Sequence, residues 1–100
     1  MVRKTIIWSE RASSEFREIL EFYTKRNGNA SYSFKVLTKT NDLLEVLASS
    51  EFIGRPTKNK KTRVVVMDVY LIFYEIHKNR IEILSFWDNR RNPEKALADR

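Results

Sequence analysis

The sequence predicts an α+β domain in the order β-α-α-β-β-β, with an antiparallel sheet covered on one face by an antiparallel helical hairpin. Three observations predict it. Apolar residues recur at helical spacing from Ala12 to Leu47, a turn at Asn27-Gly28-Asn29 divides that stretch, and beyond Arg63 the chain becomes a series of short β-branched and aromatic runs. Helices apolar along one stripe, and strands that return through hairpins, must bury those surfaces against each other. One hundred residues hold one such domain, 1–100, and leave no room for a second core.

The first strand is the β-rich stretch Thr5 to Trp8. Ser9 is placed to cap the first helix, with Glu10 favourable in its first turn. Ala12, Phe16, Ile19, Leu20 and Tyr23 then fall on one helical face, and Gly28 lies where a helix stops. The second helix carries Phe34, Leu37, Leu44 and Leu47 on one side, widened by Val36 and Leu43; Asn41 falls inside this stripe and needs a polar partner if buried. Val64 to Met67 forms a strand that turns at Asp68. Tyr70 to Ile76, apolar on both faces in its middle, reads as a central strand. His77-Lys78-Asn79-Arg80 makes a hairpin turn, Ile81 to Trp87 returns as the last strand, and Asn92-Pro93 opens a short C-terminal helix.

Charge is the informative part of the composition. The chain has 19 basic and 13 acidic residues, a net charge of +6. Arg55, Lys58, Lys60, Lys61 and Arg63 lie between Gly54 and Arg63, a segment without an acid; removing these five leaves 14 basic residues against 13 acidic ones. A focused cluster of this kind creates a local field that attracts polyanions or an acidic protein, whereas scattered lysines serve mainly solubility. Such a segment can also be a solvated connector.

The second candidate surface is the end of the last strand, Phe86-Trp87-Asp88-Asn89-Arg90-Arg91. Arginine presents a planar fork suited to phosphate or carboxylate, and Asp88 or Glu94 is the alternative partner that would fix the turn. Trp87 can stack on a base or complete the core. If this strand end is the working surface, Arg90→Ala or Arg91→Ala removes activity and leaves the fold intact.

Other chemistries are excluded or disfavoured. Without cysteine there are no disulfides, thiolate nucleophiles or zinc–thiolate clusters. His77 is the only histidine, so no metal site is expected, and Glu75 and Glu82 read as a cross-strand pair or as solvent-facing residues. Two glycines cannot build a phosphate-cradling loop, and no cofactor is expected. The short apolar run at the N-terminus is no signal peptide, and no stretch reaches the length of a membrane helix, so the expected location is cytoplasmic with no membrane partner.

The element order, the basic segment before the hairpin strands, the run Val69-Tyr70-Leu71-Ile72-Phe73-Tyr74-Glu75-Ile76 and the ending Ile81 to Pro93 resemble the RelE/ParE toxins over nearly the whole chain. That resemblance implies the toxin of a plasmid-stabilising type II toxin–antitoxin system, held inactive by a cognate antitoxin. RelE-like members cut messenger RNA on the ribosome, and ParE-like members block DNA gyrase. Lys58, Lys60 and Lys61, with Arg63, stand where the cutting branch has its lysines, and Arg90 or Arg91 matches its strand-end arginine, the catalytic candidate under that alternative. The central-strand arginine of that branch is Leu71 here, and no late tyrosine follows Tyr74. Cleaving RNA through its 2′-hydroxyl needs proton carriers, each contributing about 10²–10⁴-fold, and ordinary lysine and arginine are poor ones near neutral pH. The ParE-like, gyrase-blocking reading is therefore preferred, with Arg55, Lys58, Lys60, Lys61, Arg63 and Trp87 as the binding candidates.

Overall fold

The structure, a computed structural model, describes residues 3–90. Its elements are β1 (Thr5–Trp8), α1 (Glu10–Asn27), α2 (Ser31–Ser49), β2 (Arg55–Pro56), β3 (Thr62–Met67), β4 (Tyr70–Ile76) and β5 (Arg80–Asp88). The helical hairpin packs on one face of a five-stranded sheet of order β1-β5-β4-β3-β2. The C-terminal helix expected at Asn92-Pro93, and Arg91 with it, lie outside the described residues.

Two features of the sheet correct the expectation. It is not wholly antiparallel, because β1 lies parallel to β5, with Ile6 opposite Ile81 and Trp8 opposite Ile83. The helical hairpin carries the chain back across the sheet, so the next strands do not pair with β1, and only the last strand of the meander has an edge left for it. The basic segment also contains an element. Arg55-Pro56 pairs antiparallel with Val64 and Arg63 as a short edge strand, a position where proline loses no ladder hydrogen bond.

Both helix boundaries obey local chemistry. Ser9 Oγ accepts the Ala12 N–H at 3.0 Å, and Gly28 ends α1 at φ 73°, a left-handed conformation that glycine adopts without penalty. The face of α1 agrees with its periodicity, since Ala12 and Ile19 are buried and Phe16, Leu20 and Tyr23 pack around them. The face of α2 agrees in part, since Val36, Leu44 and Leu47 are buried and Leu43 packs against the core. Ser33, Val36, Thr40, Leu44, Leu47 and Ala48 point inward, while Phe34 is 65% exposed and Asn41 lies at the surface. Small hydroxyls can turn inward because the helices themselves satisfy them. Thr40 Oγ1 donates to Val36 O at 2.7 Å, and Ser33 Oγ donates to Leu20 O at 2.8 Å.

The core lies between helices and sheet, where Tyr70, Ile72, Tyr74, Ile81, Ile83 and Phe86 meet α1 and α2. On the other face of the sheet a smaller cluster joins Val64 and Phe73 to half-buried Leu71, Leu84 and Trp87. Trp87 is thus a packing residue in part, on the face away from the helices.

Gly54 sits at a close approach that explains its identity. Its N–H donates to the buried Tyr74 hydroxyl at 3.0 Å, and that hydroxyl donates to Glu51 O at 2.8 Å. A Cβ at Gly54 would stand 2.7 Å from both Tyr74 Oη and the Val64 carbonyl oxygen. The carbonyl belongs to β3 and cannot swing away. Gly54→Ala is expected to lower stability by about 1–3 kcal/mol, read as a fall of roughly 4–8 °C in Tm per kcal/mol. An unchanged Tm would mean that the 51–54 turn moves freely.

Candidate functional site

The basic segment folds as a tight hairpin between β2 and β3. Thr57 N–H and Oγ1 both donate to Thr62 O at 2.8 Å, Lys60 N–H donates to Thr57 O at 3.0 Å, and Asn59 Oδ1 accepts the N–H groups of Lys61 (2.9 Å) and Thr62 (2.8 Å). Lys60 takes a left-handed φ of 63° at the tip. The hairpin therefore presents Lys58, Lys60 and Lys61 outward from a backbone held by its own polar groups, and all three are exposed, as is Arg55. This arrangement departs from a slack connector. Five cations close together on an ordered turn keep their charges near one another, which concentrates the field they produce.

Arg63 belongs to this segment in sequence but has a different task. Its Nε donates to Gly54 O at 3.1 Å, a terminal nitrogen also reaches that oxygen, and its guanidinium lies 5.3 Å from the Phe52 ring centroid. The side chain thereby ties the 52–54 turn to β3. Phe52 is 66% exposed and Ile53 43% exposed. Phe52 lines two clefts at once. One is apolar, with Ile53, Ala48, Glu51 and Lys4, and the other contains Lys60, Lys61 and Arg63. An exposed aromatic flanked by apolar surface on one side and cations on the other fits a protein partner that is itself apolar and acidic. Periodicity had no way to mark Phe52, which follows the second helix in a short irregular turn.

The strand-end site is built differently. Arg90 grips Asp88 twice, through Nε to Oδ1 at 3.0 Å and a terminal nitrogen to Oδ2 at 2.8 Å, and its own backbone N–H adds a bond to Oδ1 at 2.9 Å. Asp88 is only 4% exposed. The guanidinium also contacts the Tyr23 hydroxyl and lies 5.1 Å from the Tyr23 ring centroid and 5.8 Å from that of Tyr70. Tyr23 donates to Asp88 Oδ2 at 3.2 Å, and the Tyr70 and Tyr32 hydroxyls share a 2.8 Å hydrogen bond. Sequence reading found Arg90 and its possible partner Asp88. It missed the tyrosines, which come from α1, α2 and β4 and have no spacing signal in common.

The electrostatics of this cluster are those of a lock. Burial pushes the Asp88 carboxyl up, but the Arg90 hydrogen bonds and charge outweigh it and hold the group below its ordinary value. The bond to Asp88 in turn raises Arg90. Burial, then the Asp88 charge, raises Tyr23; burial and the Tyr32 hydrogen bond raise Tyr70 well beyond the usual phenol range. None of these four groups exchanges a proton readily near neutral pH.

The two basic features do not form one face. Thr62, next to Lys61, is opposite Glu75 at one end of the hairpin strands, while Arg90 follows Asp88, which is opposite Tyr70 at the other. Five residue steps of β3 separate these ends, roughly 17 Å at the ordinary strand rise. Trp87, opposite Leu71 and far from the hairpin tip, packs with Leu71 and Leu84 on the sheet face away from the helices. The two candidate surfaces are thus a basic hairpin beside Phe52 at one end and a locked arginine at the other.

No described helix is long and apolar enough to cross a membrane. Residues 6–93 match the family model described as the ParE toxin of the type II toxin–antitoxin system, parDE. No curated protein matches the sequence at a significant level. Among solved structures, the fold is similar to a chain of the chromosomal ParDE TA system from P. aeruginosa, with a TM-score of 0.71 and 16% identity, covering 84% of this chain and 94% of that one. At that identity the likeness is one of fold.

Proposed function

The chain belongs to the ParE toxin family of type II toxin–antitoxin systems, and from that premise we propose that it is a growth-arresting cytoplasmic toxin that blocks DNA gyrase and is held inactive by a cognate antitoxin. The observation that carries the gyrase reading over RNA cleavage is the state of Arg90. Its guanidinium is committed to a buried carboxylate, and the neighbouring phenols hold their protons tightly. An RNA-cutting centre needs groups that give and take protons, and this cluster supports a structural role instead. Leu71, where the cutting branch carries arginine, adds to the same reading: it packs on the sheet face away from the helices.

The contact surface we assign to the target is the basic hairpin with Phe52 beside it. Its apolar and cationic halves suit a protein with acidic surface, and the antitoxin is expected to compete for the same exposed Phe52 and Ile53. Purified protein should inhibit gyrase supercoiling in vitro and leave cellular messenger RNA uncut. Normal supercoiling combined with mapped cleavage of ribosome-bound message would replace this reading with the nuclease one. Replacing Lys58, Lys60 and Lys61 together with serine should weaken inhibition about tenfold or more at low salt, the gap narrowing as ionic strength rises, because such charges act through steering and screened attraction. Equal inhibition at every salt concentration would remove the hairpin from the contact.

A further inference from the structure

Three side chains with metal-ligating atoms converge on the sheet face turned away from the helices. Glu75 on β4 is directly opposite Glu82 on β5, and His77 follows two positions after Glu75. His77 Nε2 lies 3.5 Å from Glu75 Oε1 and 3.7 Å from Glu82 Oε1, and one ligand atom from each residue lies within 4.8 Å of the others. Two carboxylates facing each other across antiparallel strands repel. Neither pairs with a lysine or arginine among the described residues, although Lys60 and Lys61 share the cleft with Glu75 and His77. His77 Nε2 itself is closed off from solvent and has no hydrogen-bond partner.

The distances point to what belongs between them. They exceed the 2.7–3.2 Å usual for a hydrogen bond. They match the edge of a tetrahedron around an ion bound at about 2.0–2.2 Å, which is roughly 3.4 Å. The backbone of His77 is held on both sides, its N–H donating to Arg80 O and its carbonyl accepting from Lys4 Nζ, each at 2.8 Å. The backbone that carries the imidazole is thus fixed without help from a ligand.

We propose that Glu75, His77 and Glu82 form a three-ligand site for a divalent transition-metal cation, with Zn²⁺ best suited to one imidazole and two carboxylates and a fourth position left open. A bound cation cancels the carboxylate repulsion and staples β4 to β5 beside the 77–80 turn. It also makes the cleft it shares with Lys60, Lys61 and Arg63 more positive. The site was illegible as a metal centre in the sequence because a single histidine and no cysteine offer no ligand spacing; strand pairing supplies the third ligand.

The test uses untagged full-length protein, stripped with a chelator and titrated calorimetrically with ZnCl₂, with MgCl₂ as the control cation. Zn²⁺ should bind saturably at one equivalent, Mg²⁺ should not, and Zn²⁺ at a hundredfold excess over its Kd should raise Tm by about 10 °C or more. His77→Gln and Glu82→Gln should each weaken Zn²⁺ by more than the roughly 10–100-fold lost with a supporting outer-shell group. In the metal-free state Glu82→Gln should match or exceed the parent Tm, since it removes a repulsion, which separates lost ligation from lost folding. Absence of saturable Zn²⁺ binding at millimolar concentration, or unchanged affinity in either variant, would overturn the site. Toxicity plays no part in the readout.

Discussion

Phe86→Ala should destabilise the protein by about 3–5 kcal/mol, a large share of the roughly 5–15 kcal/mol that holds a small domain folded. Phe86 is 1% exposed on β5. Its ring centroid lies 4.7 Å from that of Phe16 on α1, 5.4 Å from Tyr70 on β4 and 6.2 Å from Trp8 on β1. One truncation therefore opens a cavity that touches four elements and removes three aromatic contacts, each worth about 0.5–1.5 kcal/mol beyond burial. Urea unfolding followed by tryptophan fluorescence measures the loss, with Trp8 reporting from inside the cluster. A midpoint shift corresponding to less than about 1 kcal/mol would mean that helix and sheet repack around the gap, and that the core is less specific than its ring geometry.

The second large effect concerns Arg90 and follows from the state of Asp88. Removing the guanidinium leaves an almost fully buried carboxylate with the Tyr23 hydroxyl as its remaining side-chain partner. Breaking a buried pair costs about 3–5 kcal/mol; Arg90 is itself 47% exposed, so screening reduces the expected cost of Arg90→Ala to about 2–3 kcal/mol. The dependence on pH has a definite sign. The Asp88 carboxyl is held below its ordinary value, so its contribution is present above the unfolded-state value near 3.9 and is lost as pH falls through the lower folded-state one. The deficit of Arg90→Ala should thus be largest near pH 7 and should shrink in acid, where a protonated Asp88 carries no charge to compensate. Arg90→Lys keeps the charge without the fork and should recover only part. A deficit independent of pH would show that packing of Arg90 over Tyr23 and Tyr70, and not the ion pair, is what the side chain provides. Loss of toxicity in Arg90→Ala is consequently no evidence for catalysis unless the variant is shown to be folded.

The fold was readable wherever side-chain pattern and local chemistry agreed. Ser9, Gly28, the face of α1, and the runs that became β3, β4 and β5 each carry a signal within a few residues of where it acts. The α2 face was misread at Phe34, because hydrophobicity alone ranks it above Ser33 and Thr40, while the helices pair the two hydroxyls and leave the ring in water. The parallel pairing of β1 is a property of the whole topology, since the partner of Thr5–Trp8 is the last strand. The candidate sites divide the same way. A run of lysines is visible as a run, and the structure adds that Thr57 and Asn59 order it. Glu75 and Glu82 were readable as a cross-strand pair around the 77–80 turn, whereas the tyrosines around Arg90 come together only through helix packing and strand register, which leave no fixed spacing along the chain.

The pairing of β1 with β5 also governs when the sheet can close during synthesis. Ser9 Oγ bonds to Leu84 O across 75 positions, and Ser9 N–H to Ile83 O beside it. At a synthesis rate of about 5–20 residues per second, the N-terminal strand waits several seconds for its neighbour to be made. Until then one sheet edge and the aromatic cluster have no partner. The sheet cannot close over β1 before Ile83 and Leu84 have been made, so the N-terminal strand spends that interval as an unpaired edge.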